Sequence, residues 1–186
     1  MTTVSTFDDA HLWVSGNLAL NFIGTVEGRR DYYENRLKTP DDLGGWTVAA
    51  GLLDTAPDCT PGDLDRATEL REGTYRMALA LLGGAPFAEA DLALVNEIAR
   101  GTLPEVVLTA PGHVHRTGTI DSALAAIARS AVELFGGPDR ARIKECEREA
   151  CTRLYIDTSR GGSRRWCDMG ICGNRAKSAA FRARNT

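Results

Sequence analysis

The chain has 186 residues, of which 43% are hydrophobic and 25% charged, an ordinary globular composition long enough to bury a core without staples throughout. No apolar run approaches the roughly 18 residues of a spanning helix, and the opening MTTVSTFDDAHLW lacks a basic stretch followed by an apolar one. The expectation is therefore a cytoplasmic protein with no membrane segment. The net charge of −3 hides a split: residues 1–140 carry 11 Lys+Arg against 20 Asp+Glu (−9), and residues 141–186 carry 11 against 5 (+6). A basic end of this kind points to an anionic partner, or to docking on the chain's own acidic part.

In chain order, Leu18, Leu20, Phe22 and Ile23 form an apolar stretch readable as a helix or a buried strand, followed by EGRRDYYENR, which reads as a polar loop. TPDDLGGWTVAAGLL opens a helix with Thr39 as N-cap, Pro40 in the first turn, and Asp41 and Asp42 at the positive end of the dipole. Leu43, Trp46, Ala50 and Leu53 share its inner face. Thr60-Pro61 repeats the start signal for a helix with Leu70, Thr74, Met77 and Leu81 along one stripe, stopping at Gly83-Gly84. Pro86 is expected to begin a third helix, carrying Phe87, Ala90, Leu94 and Ile98 and ending near Gly101.

EVVLTAPGHVHRTGTI then places β-branched residues on both sides of Pro111-Gly112, predicting a hairpin with that dipeptide at the centre of a type II turn. A further helix, capped by Asp121 or Ser122, turns Leu124, Ile127, Ala131 and Leu134 inward. Gly136-Gly137-Pro138 breaks it and marks a boundary. The expected organisation is a helical segment over residues 1–140 and a second module over residues 141–186.

That module holds four of the five cysteines, in two C-x4-C pairs: Cys146 with Cys151, and Cys167 with Cys172. In a reducing compartment paired cysteines read as metal ligands ahead of disulfides, and four thiolates suit a closed, tetrahedral, structural zinc. Two disulfides or a small cysteine core are the alternatives. RLYID is expected as a strand, Gly161-Gly162 as a turn, SRRWC as the returning strand and CGNRAKSAAFRAR as a terminal helix beginning near the last ligand, which together make a treble-clef-like arrangement. Trp166 is expected to cover the zinc core.

The run CGNR after a C-x4-C pair, with DTSR and SRRWC before it, resembles the CGNR zinc finger family over about residues 142–184. LALNFIGT followed by TPDDLGGWTVAAGLL resembles the stress-induced transcription regulator domain that partners that finger. That domain's first stretch usually shows Asp-Phe and then Asn-Thr, and this chain departs from it with Asn21-Phe22 and Gly24-Thr25. The resemblance implies a zinc-binding, DNA-binding bacterial regulator.

Around the cysteines, Arg160, Arg164 and Arg165 flank the glycine turn, and Arg175, Lys177, Arg182 and Arg184 lie on the last helix. Arg175 and Arg182 share one face, Lys177 and Arg184 another, with Ala176, Ala179, Ala180 and Ala183 between them as the stripe expected to pack on the zinc core. These cations, with Asn174 near the helix start, are the candidate contacts to double-stranded DNA, whose phosphates would make binding steeply salt-dependent. The bland counterpart is a solvated helix with structural arginines, in which Arg164 or Arg165 stacks on Trp166 or pairs with Asp157.

Elsewhere, His113 and His115 lie two apart on a strand with no third ligand in view, His11 is far away in sequence, and Cys59 reads as a loop thiol. Arg29, Arg30 and Arg36 with Asp31 and Glu34 form a mixed-charge loop that reads as solvated surface. No nucleophile elbow or paired-carboxylate spacing stands out, so no enzyme is expected. The fold class expected is mainly α with a small β-hairpin plus the zinc finger. The helical segment would sense a small ligand or assemble a homodimer. A zinc-stabilised protein-interaction module is the alternative, and an enzyme with a pocket among the helices is a third.

Overall fold

The structure is a computed structural model describing Phe7 and residues 9–184. Six α-helices and three two-stranded antiparallel ladders follow one another among these residues: α1 (Leu18–Ile23), β1 (Val26–Glu27), β2 (Glu34–Asn35), α2 (Pro40–Ala49), α3 (Pro61–Leu82), α4 (Glu89–Ala99), β3 (Glu105–Thr109), β4 (His113–Thr117), α5 (Ile120–Gly136), β5 (Ile143–Glu145), β6 (Leu154–Ile156) and α6 (Asn174–Arg184).

The helix starts expected at Thr39 and Thr60 are present, each as a reciprocal capping box in which the threonine side chain accepts from the N3 amide and an aspartate at N3 returns the bond. α5 starts one turn signal earlier than expected. Thr119 is its N-cap and Ser122 closes the box at N3, because the threonine hydroxyl reaches an orphan amide that Asp121, already inside the helix, cannot. α4 begins at Glu89, not at Pro86. The residues before it run without helical bonds and lay Phe87 against Phe135, ring centroids 5.9 Å apart. Ala90 is accordingly exposed, and Asp91 and Val95 are the buried positions of α4. Arg76 on α3 meets the buried Asp91 carboxylate, Nε to Oδ2 at 2.9 Å, and the Arg129 guanidinium caps the C-terminal end of α4 through the carbonyls of Ala99 and Gly101.

α1, read from sequence as helix or strand, is a helix of 6 residues held by the Asn17 side chain, which accepts from the amides of Ala19 and Leu20. It lies at the centre with α5, and Ala19, Leu20, Phe22 and Ile23 are all buried. Trp46 of α2 is fully buried between Phe22 (5.0 Å) and Trp13 (5.8 Å). The β3–β4 hairpin is as expected, but its turn is centred on Ala110-Pro111, joined by a cis peptide, with Gly112 N–H donating to the Thr109 carbonyl. Proline fits the third position of a tight turn when its peptide bond is cis, which displaces the type II geometry. The hairpin stands in solvent, with Val106 and Leu108 62% and 74% exposed.

The polar loop 27–36 is not simply solvated. β1 and β2 pair within it, Arg29 lies over the Tyr75 ring at 4.0 Å and pairs with Glu72, and Arg30 pairs with Glu145 of β5. The helical core continues into the C-terminal segment: Ile143, Leu154 and Ile156 belong to the same buried cluster as Trp46 and Leu124.

Candidate metal centre

β5 and β6 pair with each other, Ile143 opposite Ile156 and Glu145 opposite Leu154, so the first cysteine pair sits in the loop at the end of this ladder. Cys146 N–H extends the ladder to the Arg153 carbonyl, and Cys151 N–H closes a tight turn on the Arg148 carbonyl at 2.7 Å. The expected partner strand, SRRWC, is irregular chain instead. Its backbone meets the knuckle once, where Glu147 N–H donates to the Arg165 carbonyl. The second pair spans the start of a π-helical turn over Met169–Gly173, which begins with the Asp168 side chain accepting from Ile171 N–H at 2.6 Å. Cys172 lies in that turn and α6 follows at once. A knuckle first and a helix start second preserve the treble-clef-like layout.

All four sulfurs lie within 4.8 Å of one another and all four residues are buried. A tetrahedral zinc with Zn–S near 2.3 Å requires S···S edges of about 3.8 Å. Here Cys151 to Cys167 is 3.8 Å and Cys167 to Cys172 is 3.5 Å, whereas a disulfide needs roughly 2.05 Å and all four are free thiols. As thiols alone they conflict. Hydrogen bonds among the four sulfurs lower Cys151 and Cys172 and, with burial, raise Cys146 and Cys167, so the four cannot all be thiolates in this pocket without a counter-charge. A divalent cation removes that conflict, so the four cysteines fit one structural Zn2+. Trp166, Val14 and Ile171 pack on the cluster and exclude water, as expected for Trp166.

Two nitrogen side chains that the sequence reading did not place here also reach the sulfurs. His11 Nε2 is 3.4 Å from Cys167 Sγ and 3.8 Å from Cys172 Sγ. Arg148 lies inside the first C-x4-C pair. Burial works against its charge, but hydrogen bonding and attraction to Cys172, with Cys151 and Tyr32 adding to it, outweigh that and raise its pKa.

The expected nucleic-acid residues divide into two groups. Arg164, expected at a DNA face, is half-buried and turned toward the finger. Its Nε donates to the Trp166 carbonyl at 2.8 Å, its Nη2 to the carbonyls of Cys167 and Val14, and its guanidinium covers the Tyr155 ring at 4.5 Å. The carbonyls around a buried ligand need donors, and this fork supplies them. Asn174 is exposed, with its Nδ2 donating to the Gly170 carbonyl at 2.9 Å. Arg165 is largely exposed, pairs with Glu147 and lies over Trp166 at 5.1 Å. Arg160, Arg175, Lys177 and Arg182 are exposed. Arg184 ends α6, and its side chain and that of Ala180 lie outside the described residues. The alanine stripe does not pack on the zinc core: Ala176 is half-buried, but Ala179 and Ala183 are exposed. After its first turn α6 leaves the body, and Phe181 is 62% exposed. His113 and His115 gather no further ligand among the described residues, and His115 pairs instead with Asp54 at 2.8 Å.

Asp157 organises the loop between the cysteine pairs. Its carboxylate accepts from Lys144 Nζ at 2.7 Å, from Ser159 N–H and Oγ, and from Arg164 N–H at 3.0 Å. The lysine and serine bonds hold its pKa well below the usual carboxylate range. A depressed folded pKa gives stability that is complete above the unfolded value of roughly 4 and is lost as pH falls through the folded one. Thermal melts of Asp157→Asn are therefore expected to lie below those of the parent by a constant margin from neutral pH down to about 5. That margin narrows only once the pH drops under the unfolded value of about 4. A margin that grows on acidification would contradict this account.

Residues 142–185 match the family model of the CGNR zinc finger, and residues 16–138 match the family model described as "Putative stress-induced transcription regulator", named ABATE. The chain belongs to the ABATE family. A search of curated proteins returns no match. The two matched segments of this ABATE protein touch through buried polar contacts. Arg153, 2% exposed at its side chain, donates to the carbonyls of Leu12 and Gly24 and to Glu27 Oε1 at 3.0 Å. Gly24 is one of the departures from the family pattern, and a Cβ there would sit 2.3 Å from Arg153 Nη1. Glycine at this position leaves the guanidinium its space. Thr25, the other half of that pair, is buried and its hydroxyl accepts from Arg71 Nη1 at 3.2 Å. Asn21 accepts from Ser15 N–H, ordering the chain before α1.

Proposed function

We propose that this zinc-finger protein of a transcription-regulator family binds double-stranded DNA, with α6 as the element that enters the major groove. The observation that carries the reading is the way α6 stands clear of the body. At 100° per residue, Arg175 and Arg182 lie on one flank and Lys177 about 200° around on the other, with Ser178 and Phe181 between them on the side opposite half-buried Ala176. A helix in the roughly 12 Å major groove has a phosphate wall on each side and base edges ahead. Cationic flanks with a hydroxyl and an apolar ring between them match that cross-section, the ring suiting a thymine methyl. Arg160 and Arg165 extend the basic surface beside it. Arg164 is left out of this contact set, since its Nε and Nη2 donate to carbonyls of the finger itself, whereas Asn174 is exposed and keeps amide groups beyond its bond to Gly170. The helical segment, with the exposed Val106, Leu108 and Val114 of the hairpin, would carry ligand sensing or homodimer assembly in the cytoplasm. The chain would act as a regulator, not an enzyme.

Fluorescence anisotropy of the zinc-loaded protein on a random duplex, repeated at several salt concentrations, tests this. Arg175→Ala, Lys177→Ala and Arg182→Ala together are expected to weaken binding on all sequences and to lower the salt slope by about 3, close to one unit per phosphate contact. Arg164→Ala is expected to affect zinc retention ahead of the salt slope. No binding at low salt would refute the proposal and leave a protein-interaction module, the reading favoured by the acidic partners that Arg30, Arg153 and Arg165 already find.

A further inference from the structure

Residues 9–15 run between the helical core and the finger and serve both. Asp9 accepts from His11 N–H and starts a 3-10 turn over Ala10–Trp13. Leu12 is fully buried in the helical core and Trp13 packs on Trp46. His11 and Val14 lie against the cysteines. The carbonyls of Leu12, Val14 and Ser15 accept from Arg153, Arg164 and the Ile156 amide, all from the finger. His11 is 6% exposed. Its Nδ1 faces the Glu27 carboxylate at 3.9 Å, the same carboxylate that holds Arg153. A buried imidazole with one nitrogen at a carboxylate and the other at two thiolate sulfurs is a bridge between them, and four thiolates on one Zn2+ leave a net charge of −2 for outer groups to compensate.

We propose that His11 is part of the zinc centre. Its Nε2–H donates to the sulfurs of Cys167 and Cys172 from outside the metal's ligand set. Zinc binding by the finger and docking of residues 9–15 on the helical core thereby stabilise each other. The coupling is reciprocal: what zinc does to the segment, the segment does to zinc affinity. His11 is a positioning residue here and the inner shell stays four sulfurs. The inference does not depend on DNA binding.

The test is chelator competition for Zn2+ on the full chain, comparing the parent with His11→Ala and His11→Gln. His11→Ala is expected to lose roughly 10-fold or more in zinc affinity, the range typical of an outer partner of a metal ligand. His11→Gln, whose amide N–H can reach sulfur, is expected to recover most of it. Equal affinity in parent and His11→Ala would overturn the proposal. So would His11→Gln binding no better than His11→Ala, since that would make the imidazole packing alone. Co2+ loading separates outer from inner roles: the ligand-field bands of a tetrahedral four-sulfur site are expected to keep their intensity in His11→Ala, and a changed ligand number on removing His11 would place it in the inner shell and refute the assignment. Amide exchange of Leu12–Ser15 in the full chain is expected to slow on zinc addition, and exchange indifferent to zinc would break the coupling.

Discussion

Cys167→Ser is expected to abolish tight zinc binding and to lower the melting temperature of the whole protein in a single transition. Cys167 has no exposure, and its sulfur is 3.8 Å from Cys151, 3.5 Å from Cys172 and 3.4 Å from His11. A serine hydroxyl is a poor substitute for a soft thiolate on zinc. Structural zinc contributes apparent free energies on the order of 10–16 kcal/mol in isolated fingers, as large as the whole 5–15 kcal/mol margin of an ordinary domain. The effect should spread because Ile143, Leu154 and Ile156 belong to the helical core. When the knuckle opens, β5 and β6 lose the constraint that holds those side chains against α1. Calorimetry of parent and variant checks this. Two separate transitions, with the helical one unmoved, would show that the shared core transmits nothing.

Arg153→Ala comes second in expected effect. The side chain is 2% exposed and Glu27, its partner, 12%. Removing one member of a buried pair leaves the other uncompensated, which costs about 3–5 kcal/mol. Glu27 keeps Arg36 at 3.6 Å, which places the expectation near the low end, about 3 kcal/mol, or roughly 6–12 °C of melting temperature for a chain of this size. The carbonyls of Leu12 and Gly24 lose their donor as well. Arg153→Lys should rescue little, since one ammonium cannot serve two carbonyls and a carboxylate spread around a guanidinium fork. Gly24→Ala is expected to act on the same contact from the other side. A melting temperature unchanged in Arg153→Ala would mean that the seat is held by apolar packing alone.

Much of the helical segment and the whole ligand set could be read before any coordinates. Thr39-Pro40 and Thr60-Pro61 announce their helices because capping is a contact within one turn, and it looks the same in the sequence and in the fold. The cysteines are legible because spacing and residue type together carry the chemistry of a tetrahedral soft-ligand site. What escaped was long-range. His11 meets Cys167 across 156 positions, and no local pattern marks a histidine as facing sulfur. The strand expected at RLYID is β6, but its partner β5 hid, because a three-residue strand before a ligand loop has no alternation long enough to show. Arg164 and Arg165 are adjacent and chemically identical, yet one lies against buried carbonyls and the other is exposed. Side-chain direction in irregular chain is set by what surrounds it, and sequence does not contain that. The alanine stripe of α6 has helical periodicity without the surface that the pattern implied, because apolar spacing describes a helix face and not its neighbour.

The isolation of α6 bears on the thermodynamics of whatever it meets. It has 11 residues, shorter than the 12–15 at which helices become even marginal alone in water, and its substantial packing among the described elements is with the preceding π-turn. Its far turns are therefore expected to fray in the free protein, and a partner that grips Ser178, Phe181 or Arg182 must also hold those turns closed. Association would then bring an entropy loss beyond that of joining two rigid bodies, with affinity that weakens on warming.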